Sequence, residues 1–187
     1  MKVLTISGSL RATSSNSRLL EAVGLLAPPS LTIVPLDLLG ALPHFNPDLD
    51  VDPCPLAVRA LREAVESADG MLISSPEYAH GVPGVLKNAL DWLVSGVEIV
   101  GKPIGLLNAS PRATHAQASL VETLTTMSAN VVAGASVPIP LLGRGLDAKA
   151  IAADPALAGL IASALSALMD AIGRREAGAE SPRVPFP

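Results

Sequence analysis

Two stretches of this chain carry residue types whose spacing could do chemistry. The first is Gly8-Ser9-Leu10-Arg11-Ala12-Thr13-Ser14-Ser15-Asn16-Ser17. Hydroxyls and backbone N–H groups in such a loop donate hydrogen bonds, and a helix starting at its end adds partial positive charge, which suits a phosphate. Arg11 supplies a planar fork of donors matched to phosphate oxygens. A Ser-rich turn before a helix also serves simple capping, and these residues alone leave both readings open. Neither Gly-x-x-x-x-Gly-Lys-[Ser/Thr] nor Gly-x-Gly-x-x-Gly is present, so two better-known phosphate loops are excluded. The second stretch runs from Ser74 through Pro76-Glu77-Tyr78-Ala79-His80-Gly81 and Pro83-Gly84-Val85-Leu86-Lys87-Asn88 to Trp92. It breaks at Pro76, loops as far as Gly81 and restarts as a helix near Pro83, where a missing N–H is harmless.

These stretches need elements to hold them. Val3–Ser7 is an apolar, β-branched run and predicts the first strand, covered on both faces. Leu19, Leu20, Val23 and Leu26 recur at helical spacing, with Asn16 or Ser15 suited to the N-cap. Leu31–Val34 predicts strand two and opens a long Pro-rich loop from Leu36 to Pro55. Loops of that length are usually functional, and His44 and Phe45 could border a cofactor or a partner subunit, or be ordinary loop residues. Ala57, Leu61, Ala64, Val65 and Ala68 mark helix two, and Gly70–Ser74 is strand three. Leu86, Leu90 and Leu93 share one face of the next helix. Ile104–Leu107 is strand four, followed by the loop Asn108–His115. Leu120, Leu124 and Met127 give helix four. Val131–Ala133 and Ser136–Ile139 flank a fifth strand, and Leu157 to Ile172 form a strongly periodic last helix. The reading is one domain over residues 1–173 and a loose tail over 174–187. Strands alternating with helices predict a parallel sheet with helices on both faces.

The totals narrow the function classes. Of 187 residues, 49% are hydrophobic and 16% charged, so the chain is globular, not disordered. Aromatics are only 2% and the net charge is −4, which argues against stacking nucleic-acid bases or tracking phosphate backbones. His44, His80 and His115 lack metal-ligand spacing. No Gly-x-Ser-x-Gly is present for a serine hydrolase. Cys54 lies between two prolines and reads as a spare thiol. The N-terminus is too short and too strand-like for a signal peptide. The apolar segment Ala156–Ile172, interrupted by Ser163, Ser166 and Asp170, falls short of a membrane span. A soluble, cytoplasmic protein without membrane or nucleic-acid partners is expected. What remains is a cofactor that carries the chemistry itself.

The run Pro76-Glu77-Tyr78, then Pro83-Gly84-x-Leu86-Lys87-Asn88-Ala89-x-Asp91-Trp92, resembles the NADPH-dependent FMN reductase family, which includes quinone, chromate and azo-dye reductases. Gly8, Ser9, Arg11, Ser14 and Asn16 fall on the same family's first motif. The resemblance implies a flavodoxin-like three-layer sandwich with a five-stranded parallel sheet in the order 2-1-3-4-5. That order puts the loops after strands one and three at the ligand-binding switch point. It implies FMN as cofactor and NADPH or NADH as co-substrate. Ser9, Arg11, Ser14, Ser15 and Asn16 would hold the phosphate. Pro76, Glu77, Tyr78, Ala79 and His80 would line the ring, and Ser110, Arg112 and Thr114 would form the other wall. No catalytic side chain is implied. The chain departs from the family at Ala79, where Asn is usual, and at Arg112-Ala113-Thr114, where glycines are usual. Ala79 would leave the site less polar beside the ring. Two functions compete. One is an oxidoreductase passing hydride from nicotinamide to FMN and then, by a ping-pong mechanism, to a small acceptor such as free flavin or a quinone. The other is an electron carrier of flavodoxin type. A homodimer or homotetramer is implied, with Trp92 either its interface anchor or a core residue.

Overall fold

The computed structural model describes residues 1–180. Among them five parallel strands form one sheet: β1 (Lys2–Ser7), β2 (Thr32–Leu36), β3 (Gly70–Ser74), β4 (Pro103–Leu106) and β5 (Asn130–Val131). Their order is β2-β1-β3-β4-β5, the order expected. In register, Val3 lies opposite Gly70 and Ser7 opposite Ser74, so the chain leaves β1 and β3 at the same level. Every residue of β3 and β4 is buried, as strands sandwiched between helices must be.

The helices are α1 (Ser15–Leu26), α2 (Leu56–Glu66), α3 (Gly84–Asp91), α4 (Thr114–Thr126), α5 (Ala148–Ala153) and α6 (Pro155–Glu180). Alternation along the strands sorts them into two layers. Leu4, Ile6, Met71, Ile73 and Ile104 pack against Val58, Leu61, Leu86, Leu90, Leu120 and Leu124 of α2, α3 and α4. Val3 and Leu72 pack against Leu19 and Val23 of α1 and Ile161, Leu165 and Leu168 of α6. Gly105 is needed where these layers close. A Cβ there would stand 2.7 Å from the Ala135 carbonyl and 2.7 Å from Leu72 Cδ2.

Two expectations are corrected, and one element was not expected. α6 continues past Gly173 to Glu180, so residues 174–180 are helical, not a loose tail; residues 181–187 lie outside the described residues. The stretch Pro155–Gly178, with mean hydropathy 1.7, is long and apolar enough to cross a membrane by length and composition. Length therefore does not set it apart from a span; in this fold its residues Ile161, Leu165 and Leu168 pack with the sheet. The unexpected element is α5, which has no counterpart in the sequence reading. It is six residues long, and its start is fixed by Asp147, which accepts from the Ala150 N–H at 2.8 Å.

The long loop after β2 is tied to α3. Asn88 Oδ1 accepts from Phe45 N–H at 2.8 Å, and its amide donates to the Pro43 carbonyl at 2.9 Å. Trp92 Nε1 donates to that same carbonyl at 2.8 Å. The Phe45 and Trp92 rings meet edge to face at 5.0 Å. Trp92 is 0% exposed within one chain, so it is a core residue and no interface anchor. Phe45 likewise faces this core.

A buried cation closes α2. Lys102, 2% exposed, donates from Nζ to the carbonyls of Val65 at 2.6 Å and Ala68 at 2.5 Å. Orphan carbonyls at a helix C-terminus call for such a donor. Burial pulls the lysine down from its ordinary range to about 8, with Arg175 adding to the effect.

Candidate active site

At the carboxyl edge of the sheet, the loops after β1, β3 and β4 enclose a cavity of about 330 Å³. Gly8 sets how closely the first two approach. Its N–H donates to the Ser74 carbonyl at 2.9 Å, and a Cβ on it would lie 2.6 Å from Ser75 Oγ. No side chain larger than hydrogen fits there without moving Ser75.

The first loop divides its polar groups between holding itself and facing the cavity. Ser14, not Ser15 or Asn16, is the N-cap of α1, accepting from the Asn16 N–H at 3.2 Å. Asn16 is buried, and its Oδ1 lies 2.9 Å from Ser74 Oγ, which also reaches the Leu107 carbonyl at 2.8 Å. Ser9 Oγ accepts from the Arg11 N–H at 3.2 Å, and Ser7 Oγ accepts from the Ser9 N–H at 3.3 Å. Arg11, Thr13 and Ser15 are exposed and line the cavity. Arg11 forms no ion pair among the described residues. A helix N-terminus of a 12-residue helix, free hydroxyls and an unpaired guanidinium fit a terminal phosphate.

The second loop is a tight turn. Tyr78 and Gly81 exchange backbone hydrogen bonds at 3.2 and 2.9 Å across Ala79 and His80. Both central residues are left-handed, with φ of 49° and 61°. That is the geometry of a type I′ turn, which Asn and Gly adopt readily and Ala does not. Neither Ala79 nor His80 lines the cavity. The family's usual Asn at this position thus matches the backbone conformation. His80 stacks edge to face on His115 at 4.3 Å instead, and its Nδ1 lies 3.4 Å from Glu77 Oε1.

Glu77 does structural work that spacing alone does not reveal. Its Oε2 accepts from the Ala116 N–H in the first turn of α4 at 2.7 Å. Ala113, at the N-cap of that helix, has no oxygen to offer. A carboxylate from the β3 loop therefore fills the cap and complements the helix dipole.

The third loop needs no glycine. Ala113 has φ of −84°, within ordinary range. Asn108 braces the loop, donating to the Ala113 carbonyl at 3.1 Å and accepting from Ser110 N–H at 3.0 Å. Ser110 and Arg112 line the cavity, but Thr114, the first residue of α4, does not. The cavity thus brings together Ser9, Arg11, Ser14, Ser15, Asn16, Pro76, Glu77, Tyr78, Ser110 and Arg112, and leaves out Ala79, His80 and Thr114. Sequence reading missed Thr13, Ser75, Ala109, Leu142 and Gly143 on its lining. Gly143 and Gly145, both at positive φ, marked that turn.

This fold and this edge-on cavity define a flavodoxin-like α/β protein with its ligand site at the β1/β3 switch point. The family of NADPH-dependent FMN reductases matches residues 1–141, and the chain belongs to it. As a member it is an oxidoreductase working with FMN and NAD(P)H. It is 38% identical over 174 residues to the NAD(P)H-dependent FMN reductase of Pseudomonas aeruginosa, covering 90% of this chain and 93% of that one. It is 35% identical over 113 residues to a quinone reductase of Escherichia coli, covering 59% and 60% of the two chains. Among solved structures it resembles the flavoenzyme NAD(P)H:(acceptor) oxidoreductase FerB from Paracoccus denitrificans, with a TM-score of 0.74, 30% identity, and 92% and 97% of the two chains covered.

Proposed function

We propose that this chain binds FMN in the 330 Å³ cavity and reduces a quinone or free flavin at the expense of NAD(P)H, by a ping-pong mechanism. The observation that carries the reading is the division of labour around that cavity. Ser14 and Asn16 are committed to shaping the first loop, while Ser9, Arg11, Thr13 and Ser15 keep donors for a phosphate. Pro76, Glu77 and Tyr78 on one side and Ser110 and Arg112 on the other flank the remaining space. Bound FMN would supply a two-electron carrier between nicotinamide and acceptor. No side chain on the rim is needed as acid or base for hydride arrival. Co-substrate and acceptor share one space, so they take turns in it. Quinones are the favoured acceptor class because a chain matching over about half this length is a 2-hydroxy-1,4-benzoquinone reductase from a Burkholderia species.

The test is steady-state NADPH oxidation with varied benzoquinone and no partner protein. Parallel double-reciprocal lines are expected; intersecting lines would refute the alternation. Absence of turnover without a partner protein would revive the electron-carrier reading.

The chain works as a homodimer or homotetramer in this proposal, in the cytoplasm. Leu49, Val51, Val94 and Val97 are exposed large apolar side chains in the loops before α2 and after α3. They flank a half-buried network in which Arg62 donates to Asp50 at 2.8 Å, to Ser95 at 2.8 Å and to the Trp92 carbonyl at 2.9 Å. The hydroxyl of Ser95, with Arg62, holds Asp50 below the usual carboxylate range. An apolar surface around a rigid polar clasp suits association. Light scattering at micromolar concentration checks it, and a monomer there rejects it.

A further inference from the structure

A second, larger concavity of about 680 Å³ lies on the other side of the first loop, between α1 and the edge strand β2. Its floor is formed by the sheet residues Thr5 and Ser7, which alternate with the buried Leu4 and Ile6 of the opposite face. Thr5 is 3% exposed, and its hydroxyl is not an orphaned buried group, so it is within reach of solvent in the cavity. Ser7 Oγ and Ser17 Oγ meet beside it at 2.9 Å. Such a hydroxyl on a cavity floor can exchange its water for the polar group of a ligand. The walls are aliphatic, built from leucines, Ile33 and prolines without one aromatic ring. At the rim stand Glu21 and Asp37, both exposed and neither in an ion pair among the described residues. No Lys, Arg or His lines the space. The helix side is kept open by Gly24, where an added Cβ would meet nothing within 4 Å. Pro35, opposite Thr5 in the sheet register, removes a backbone donor from the edge strand. A further strand adding there is thereby disfavoured, and a small ligand is favoured over a protein partner.

We propose that the groove between α1 and β2 is a second small-molecule site, for a compact aliphatic organic cation whose polar group reaches the Thr5 hydroxyl or the rim carboxylates. Volume, aliphatic lining, a hydroxyl on the floor and a wholly acidic rim all select this class. Nicotinamide nucleotides and other anions are disfavoured by the same carboxylates. The site is separate from the flavin cavity, although Ser9 borders both.

The experiment is calorimetric titration of the full chain, with excess FMN present to fill the first cavity. The probe is 1-adamantylamine, and adamantane-1-carboxylate is its matched anion. Saturable binding of the amine tighter than about 1 mM is expected, with the carboxylate at least about tenfold weaker. Gly24→Phe and Gly24→Leu should abolish amine binding by filling the groove, while Gly24→Ala keeps it. Leu and Ala are strong helix formers at this exposed helical position, so both variants should fold, as thermal melting will verify. Thr5→Val should weaken the amine about threefold to tenfold, and Glu21→Gln with Asp37→Asn about fivefold. Three results overturn the proposal: no saturable amine binding, equal affinity for the carboxylate, or unchanged binding in folded Gly24→Leu. A drop in oligomer mass for Gly24→Phe also overturns it, because a second copy of the chain would then be the occupant.

Discussion

Residues Pro76–Gly81 and Lys87–Trp92 belong to one continuous stretch, yet they face opposite environments. The first half opens on the cavity and holds its shape through an unfavourable turn and one long-range carboxylate cap. In the second half Ala89, Leu90 and Trp92 point into the core and Asn88 and Trp92 share the Pro43 carbonyl, while Lys87 stays exposed. The contrast shows how one run of fixed residues can combine a site with the brace behind it. Substitutions in the brace should change stability, and substitutions at the mouth should change ligand affinity.

The largest expected effect tests the brace. Trp92→Ala removes a fully buried ring and should destabilise the fold by about 3–5 kcal/mol, read by urea unfolding. The folded fraction should still bind FMN with parental affinity. A loss below about 1 kcal/mol would contradict the core assignment. Next, Arg11→Ala should weaken FMN binding by about 1.5–3 kcal/mol in fluorescence titration at moderate salt. Its thermal midpoint without flavin should not move, because the side chain is exposed and unpaired. If the midpoint falls instead, mouth and brace are not separable. Asn88→Ala comes third, costing about 1–2 kcal/mol of stability by freeing the loop at Pro43 and Phe45. The smallest effect sharpens the turn. Ala79→Gly should stabilise the protein by about 1 kcal/mol, since glycine adopts positive φ without steric cost. FMN affinity should stay unchanged in Ala79→Gly and Ala79→Asn, because position 79 lies off the cavity lining. A shift in affinity for either variant would place residue 79 against the flavin after all.

The fold was largely legible because β1, β3 and β4 are buried on both faces and so read as apolar runs. β5 was legible only as a region: with two residues, Asn130 and Val131, it carries no periodicity. α5 was hidden for the same reason of length. At the site, the residues on the first loop were readable because phosphate chemistry has a distinctive donor composition. The roles within that loop were not. Which of Ser14, Ser15 and Asn16 caps the helix depends on where the chain turns out of β1, a matter of dihedral angles that all three residue types tolerate. At Ala79, composition shows a missing amide but not the sign of φ. Glu77 hid its function because its partner, the Ala116 N–H, lies on another helix. Trp92 could be placed at an interface or a core with equal justice until the long loop was seen to fold over it.

Trp92 is also the single tryptophan of the chain. Buried against Phe45 and the core leucines with its indole N–H satisfied, it should fluoresce toward the blue end of the tryptophan range. Unfolding wets the ring and moves the emission to the red. The protein therefore carries its own optical gauge, with no second indole to blur the signal. Because the gauge sits in the brace and reads the loop at Pro43, a change in its colour on adding a quinone would report motion transmitted behind the site.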